Sequence, residues 1–313
     1  MGFLKEKHLL GLARIPAEDI RSILDTAFTF REVLERPIKK VPTLQGKTVV
    51  NLFLEPSTRT RISFELAQKR LSADTVNFSV NTSSIVKGES FKDTARNIEA
   101  MKVDCIVMRH PVPGAPVHLT RFVRAVVINA GDGGHEHPTQ ALLDLMSLRE
   151  RFGEIRGLKV AIIGDIAHSR VARSNIIGLK KLGAQVLLCG PPTLMPIAVQ
   201  QLGVEVEYRL EKVLNWADAI NVLRIQRERQ GVCFFPSVRE YRDLFGITRE
   251  RIEKLSRPIT IMHPGPMNRG VEIDGDVADS DNAIILEQVL NGVAVRMSVL
   301  YLLLGDKPPG AED

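Results

Sequence analysis

Cysteine is scarce in this chain of 313 residues: Cys105, Cys189 and Cys233 stand far apart, with no C-x-x-C spacing. That excludes a disulfide framework and a zinc ribbon, and leaves an expectation of three reduced, mostly buried thiols. No uninterrupted apolar run reaches the roughly 18 residues that mark a membrane helix. The opening MGFLKEKHLLGL carries too short an apolar run for a secretory signal. The reading is a soluble, cytoplasmic chain with no membrane partner. Lys/Arg-rich runs of the kind that mark nucleic-acid segments are missing too, and a net charge of +5, from 42 basic against 37 acidic residues, leaves no nucleic-acid footprint. So mild a positive balance helps only the approach of small anions. Neither G-x-S-x-G nor a catalytic cysteine motif is present, so no protein nucleophile is expected.

What is present is a regular alternation. Short apolar runs suited to strands occur at Thr48–Leu54, Thr75–Val80, Cys105–Arg109, Ala125–Asn129, Lys159–Gly164, Gln185–Cys189, Val204–Tyr208, Ala219–Leu223 and Thr260–His263. Helix-period segments lie around them at Glu18–Leu34, Thr60–Leu71, Ser90–Met101, Pro138–Arg151, Arg170–Leu182, Pro196–Leu202, Glu211–Trp216, Arg249–Leu255 and Asn282–Leu304. Continuous apolar strands such as VAIIG and INVL predict an α/β fold of mainly parallel sheets with helices on both faces. The length suits two domains of about 150 residues. The sheet restarts at GEIRGLKVAIIGD, which puts one domain at 1–150 and a second at 151–289. The apolar helix at about 290–305 is expected to pack back on the first domain.

Glu55-Pro56-Ser57-Thr58-Arg59-Thr60-Arg61 joins the strand VVNLFL to the amphipathic run RISFELAQKRL, a strand-to-helix turn. Free N–H groups at a helix start favour a phosphate or carboxylate. Ser57, Thr58 and Thr60 add hydroxyls, and Arg59 a guanidinium fork. Ser and Thr are also ordinary N-caps. Two arginines among three hydroxyls exceed what capping requires.

Other residues acquire weight from position. Arg109 ends the strand CIVM at the carboxyl edge of a sheet, where α/β ligands bind. His137 and Gln140, three apart at a helix start with Pro138 in its first turn, can face one ligand. His135 and His137 lack the Cys or acidic partners of a metal site, so no metal is expected. Gly164 follows a strand but lacks the further glycines of a dinucleotide loop, so no NAD is expected, nor any other cofactor. Arg224 and Gln226, two apart on an extended segment, point to one side, although RIQRERQ also reads as a solvated basic run. Pro264-Gly265-Pro266 is a rigid turn offering backbone carbonyls, and the loop carrying Ser83 and Lys87 reads as polar surface.

STRTR followed by SFE resembles the carbamoyl-phosphate signature of the aspartate/ornithine carbamoyltransferase family. The resemblance continues, in the family's order, through NTSSIVKGES (81–90), VMRHP (107–111), HPTQALLD (137–144), GDIAHSR (164–170), LRIQRER (223–229) and HPGPMNRG (263–270). It implies transfer of a carbamoyl group from carbamoyl phosphate to L-aspartate, the committed step of de novo pyrimidine synthesis. It further implies that Ser57, Thr58, Arg59 and Lys87 hold the phosphate. Thr60, Arg109 and His137 would meet the carbonyl oxygen, Arg109 touching the phosphate as well. Gln140 and the carbonyls of Pro264, Gly265 and Pro266 would accept from the carbamoyl NH2. Arg170 would grip one aspartate carboxylate, Arg224 and Gln226 the side-chain carboxylate, and Lys87 would help bind aspartate as well as the phosphate. Ser83 and Lys87 would enter a neighbouring subunit's site, making a homotrimer with shared active sites. Relatives variously associate with regulatory chains or dihydroorotase. An ornithine carbamoyltransferase would carry an HCLP-type block where this chain has His263-Pro264-Gly265-Pro266, and would lack the NTSSIVKGES lysine. A non-catalytic scaffold would show decay among the phosphate-site residues, all of which are intact.

Overall fold

The computed structural model describes residues 4–79, 89–225 and 237–305. Ser83, Lys87, Gln226 and Cys233 lie outside the described residues. The first compact unit comprises residues 1–146 and 290–313, and the second residues 147–289.

The first unit opens with α1 (Ala17–Glu35) and continues through β1 (Thr48–Phe53), α2 (Thr58–Arg70), β2 (Asp74–Ser79), α3 (Phe91–Ala100), β3 (Cys105–His110), α4 (Ala115–Leu119), β4 (Val126–Asp132) and α5 (Pro138–Phe152). Its four strands pair entirely in parallel, in the order β2-β1-β3-β4. Val50, Leu52, Ile106, Met108 and Val127 from the strands close on Ala95, Ile98 and Leu119 from the helices. A reciprocal amide pair fixes α2 on β1. Asn51 Nδ2 donates to Gln68 Oε1 at 3.1 Å, and Gln68 Nε2 donates back to Asn51 Oδ1 at 2.8 Å, both residues fully buried. Satisfied buried amides of this kind set one arrangement rather than several.

The second unit runs β5 (Lys159–Ile163), α6 (Arg170–Lys181), β6 (Gln185–Cys189), β7 (Glu205–Val206), α7 (Leu210–Trp216), β8 (Ala219–Val222), α8 (Val238–Phe245), α9 (Arg249–Glu253), β9 (Thr260–Met262) and α10 (Gly275–Ala278). Its five strands are also all parallel, in the order β7-β6-β5-β8-β9. Ala161, Ile163, Leu187, Ile220, Val222 and Ile261 form its core with Leu210, Val213, Tyr241 and Phe245.

The last helix, α11 (Ile285–Leu304), is long and apolar enough to cross a bilayer, yet 72% of its most apolar window is buried. It packs back on the first unit. Ser298 Oγ donates to the Ile23 carbonyl at 2.7 Å, Tyr301 meets Phe30 edge-on at 5.7 Å, and Arg31 Nε donates to Asn291 Oδ1 at 3.3 Å.

All nine expected strands form, most within a residue or two of their predicted bounds. The helices depart in instructive places. The helix expected at Pro196–Leu202 is only a 3-10 turn over Val199–Leu202, ended by Gly203 in the left-handed region. The helix expected from Asn282 starts at Ile285. Three helices were not expected: α4, α8 and α10. Two are only five and four residues long, too short to show a period. α8 had a legible start, because the Ser237 hydroxyl accepts from Glu240 N at 3.1 Å in an S-x-x-E cap.

The cores hold two of the three thiols. Cys105 is fully buried, and burial, then Asp104, pushes its thiol far up. Burial, then Glu207 and Glu211, pushes Cys189 up to about 12. Neither forms thiolate near neutrality, and only thiolate is nucleophilic. Maleimide at pH 8 should therefore leave Cys105 and Cys189 unlabelled in the native protein and label both in urea, as read by peptide mass mapping. Rapid native labelling of either would contradict this packing.

Candidate active site

In parallel sheets, ligands bind beyond the carboxyl ends of the strands where the strand order reverses. In the first unit that point lies between β1 and β3, so the turn after β1 and the end of β3 meet there. The turn is Leu54–Ser57, and Phe53 pairs with Arg109 in register. The second unit's reversal lies between β5 and β8, which brings together Gly164–Arg170 and Leu223–Ile225.

Ser57 stands at the N-cap of α2, φ −162°, but its side chain makes no capping bond. Capping alone therefore does not account for it. The first turn of α2 contains no acidic residue and carries Arg59 and Arg61 instead. A helix start is already positive, and carboxylates are what stabilise it. Guanidinium groups there make sense when an anion completes the site. Thr58 and Arg59 are exposed and Thr60 is buried, so the turn offers a wet face and a dry one.

Arg109 is held from two sides. Its Nη2 donates to Glu55 Oε1 at 2.6 Å, and its Nη1 to the Ala130 carbonyl at 3.4 Å. Both side chains of the ion pair are largely shielded, 11% and 18% exposed. The β3–β4 register shifts between Met108 and His110, and the additional residue on β4 presents the Ala130 carbonyl to Arg109. Glu55 was not singled out from sequence. Its partner sits on another strand, so only the fold pairs them.

The loop from β4 into α5 is fixed by buried acids. Asp132 Oδ1 accepts from Asn129 Nδ2 at 2.8 Å and from Glu136 N at 3.1 Å, and Oδ2 accepts from Gly114 N at 2.7 Å. Glu136 Oε2 accepts from Leu12 N at 2.8 Å. His135 Nδ1 lies 3.1 Å from Asp132 Oδ2, so this histidine serves the loop. The result is a rigid lead-in to His137, 4% exposed and immediately before α5, and to Gln140, 9% exposed, on its first turn. Gln140 Nε2 donates to Asp144 Oδ1 at 3.0 Å. Among the described residues no group of three or more His, Cys, Asp or Glu could hold a metal ion.

In the second unit Arg170 opens α6 and is 4% exposed, behind the Ser169 cap, whose Oγ accepts from Ala172 N at 3.1 Å. No acidic residue occupies that first turn either. Arg170 thus puts a buried guanidinium at the positive end of a helix, a place that favours anions. Gly164, φ +125°, explains the lone glycine of this block. A Cβ there would sit 3.0 Å from the Leu223 carbonyl, so β5 and β8 could not converge as they do. Arg224 follows directly, half-buried, and Gln226 lies outside the described residues. Beyond β9, His263 Nδ1 accepts from Gly265 N at 2.8 Å, which folds Pro264, Gly265 and Pro266 into a tight turn with φ +63° at Gly265. That tautomer puts the proton on Nε2, 3.4 Å from buried Glu272 Oε1. Glu272 Oε1 also accepts from Asn268 N at 2.5 Å, and Asn268 Nδ2 donates to the Ile225 carbonyl at 3.4 Å, tying this turn to the Arg224 segment.

The structure thus gathers Ser57, Thr58, Arg59, Thr60 and Arg109 at one switch point, with His137 and Gln140 at the start of α5 in the same unit. It gathers Arg170 and Arg224 at the other switch point, with the Pro264–Pro266 turn tied to it. Ser83, Lys87 and Gln226 are not placed. Residues 7–150 match the family description "Aspartate/ornithine carbamoyltransferase, carbamoyl-P binding domain", and residues 156–303 match "Aspartate/ornithine carbamoyltransferase, Asp/Orn binding domain".

The chain belongs to the aspartate/ornithine carbamoyltransferase family.

Within that family it is 60% identical over 306 residues to the aspartate carbamoyltransferase catalytic subunit of Gemmatimonas aurantiaca, covering 98% of this chain and 96% of that protein. Among solved structures it is similar to aspartate transcarbamoylase from Trypanosoma cruzi in complex with carbamoyl phosphate. That match has a TM-score of 0.89 and 29% identity, over 96% of this chain and 97% of the other. Ornithine carbamoyltransferase from Pyrococcus furiosus is also similar, with a TM-score of 0.83 and 30% identity over 95% and 96%. Members with different acceptors share the fold, so the acceptor must be argued from side chains.

Proposed function

We infer that the chain transfers the carbamoyl group of carbamoyl phosphate to the amine of L-aspartate, giving N-carbamoyl-L-aspartate and phosphate. The observation that carries this is the pair of switch points, one per unit, each armed with guanidinium groups at a helix start that has no acid of its own. One suits a phosphate. The other, with Arg170 and Arg224, suits a diacid. Ornithine has a single carboxylate and an additional ammonium, which two guanidinium groups would repel.

The reaction is acyl transfer. The neutral amine attacks the carbamoyl carbon, forming the C–N bond. An oxyanion develops, the C–O bond to phosphate breaks, and the departing phosphate takes the amine's proton. Thr60, Arg109 and His137 stabilise the oxyanion, while Ser57, Thr58 and Arg59 neutralise the phosphate. Gln140 and the carbonyls of the Pro264–Pro266 turn accept from the carbamoyl NH2. No protein nucleophile takes part.

The assembly we propose is a cytoplasmic homotrimer in which Ser83 and Lys87 complete the site of a neighbouring copy. NTSSIVKGES supports this through the family resemblance. Further support comes from the apolar Ile62 and Leu66 on α2 and Val76 on the edge strand β2, which are 47%, 39% and 48% exposed. Such a trimer would offer regulatory chains or dihydroorotase a surface on which to assemble, and its product would enter pyrimidine synthesis.

A colorimetric assay for carbamoyl aspartate, with aspartate and ornithine offered in parallel, tests the reaction. Arg59→Ala should lower kcat by on the order of 10²–10³ while moving the KM for aspartate little. Weakened aspartate binding at preserved kcat would refute the assignment. Mixing Lys87→Ala chains with Arg59→Ala chains should restore activity through intact sites in mixed trimers. No recovery, despite proven subunit exchange, would mean that each loop serves its own chain.

A further inference from the structure

Asp144 lies one helical turn beyond Gln140 on α5, is fully buried, and has no place in the reaction described above. Its Oδ1 accepts from Gln140 Nε2 at 3.0 Å. An ionised carboxylate only accepts, so it can bond the NH2 end of an amide and never the carbonyl end. The partner's chemistry therefore dictates which way the Gln140 amide is turned, and its carbonyl oxygen faces away from Asp144.

A buried carboxylate needs a counter-charge. Arg296 of α11 adds positive charge in its neighbourhood. Burial, partly offset by the Asp144 carboxylate and reinforced by Arg109, lowers this guanidinium to about 10. Arg296 is 3% exposed, and its Nη1 donates to the Gly292 carbonyl at 2.7 Å and to Ser63 Oγ at 3.0 Å. Its guanidinium also lies 5.1 Å from the Phe64 ring centroid. Ser63 and Phe64 belong to α2, whose first turn forms the phosphate site. Space for the group exists because residue 292 is glycine: a Cβ there would fall 2.6 Å from Nη1 and 3.2 Å from Leu143 Cδ2. The charge is thus built into the packing of three helices.

We propose that Asp144 is a positioning residue that locks the Gln140 carbonyl toward the carbamoyl nitrogen and so makes the site select carbamoyl over acetyl phosphate. The inference rests on the carbamoyl-transfer reading of the site. The two acyl phosphates share the phosphate and the carbonyl and are nearly the same size, so Arg59, Thr60, Arg109 and His137 treat them alike. They differ in NH2 against CH3. Only a fixed acceptor aimed at that position distinguishes them, because acetyl leaves it unpaired in a dry site.

The test is the ratio of kcat/KM for carbamoyl phosphate to that for acetyl phosphate, with aspartate as acceptor. Asp144→Asn presents an amide that can donate or accept, which unlocks Gln140. The ratio should fall on the order of tenfold, chiefly through carbamoyl phosphate, the size expected for a lost charge-assisted hydrogen bond. Equal losses on both substrates, or no loss, would overturn the proposal. Should Asp144→Asn fail to fold, the double variant Asp144→Leu with Arg296→Met removes both buried charges together and should show the same fall. Gln140→Met separates this proposal from the reading beneath it. If Gln140→Met leaves the ratio unchanged, the role of Gln140 itself fails. If Gln140→Met collapses the ratio and the Asp144 variants do not, only the positioning role of Asp144 fails.

Discussion

Two helices in this protein begin against the grain of their own dipoles. α2 and α6 start with arginine where acidic residues would stabilise them, and neither has an acid in its first turn. Positive charge concentrated at a helix N-terminus favours an anion bound there.

The parallel sheet makes this arrangement available. Each unit reverses its strand order once, and at each reversal two loops diverge and leave room beyond the strand ends. β1 and β3 deliver the phosphate turn and Arg109, and β5 and β8 deliver Arg170 and Arg224. Rigidity comes from buried polar networks rather than from apolar packing alone. The Asn51–Gln68 amide pair fixes α2 on β1. Asp132 and Glu136 hold the lead-in to His137, and His263 with Glu272 shapes the acceptor-side turn. Preorganised donors cost no rearrangement when charge develops, which is why such networks suit acyl transfer.

Much of this was legible in the sequence, and the reasons differ by element. Most strands here are short, largely apolar runs set between longer segments of helical period, so all nine are legible. Short helices such as α4 and α10 leave no period to detect. α8 was missed although its Ser237 cap was present, because the basic run before it reads as loop. On the site side, chemistry concentrated in local blocks survived translation into structure: the STRTR turn, His137 with Gln140, Arg170. What the sequence could not reveal were pairings made across the fold. Glu55, on the turn after β1, meets Arg109 at the end of β3, and Arg296 of α11 bonds Ser63 of α2 from 233 positions away. Asp144 itself sits inside the HPTQALLD block at helical spacing from Gln140, but its meaning depends on the direction of their hydrogen bond, which only the packed structure shows.

The central claim is that the start of α2 is a phosphate cradle. A crystal grown with the non-hydrolysable phosphonate analogue of carbamoyl phosphate tests it most directly. The phosphonate oxygens should lie within about 2.7–3.2 Å of the backbone N–H groups and hydroxyls of the Ser57–Thr60 turn, with Arg59 and Arg109 turned onto them. A vacant turn, with the phosphonate bound elsewhere and Arg59 facing solvent, would contradict the account.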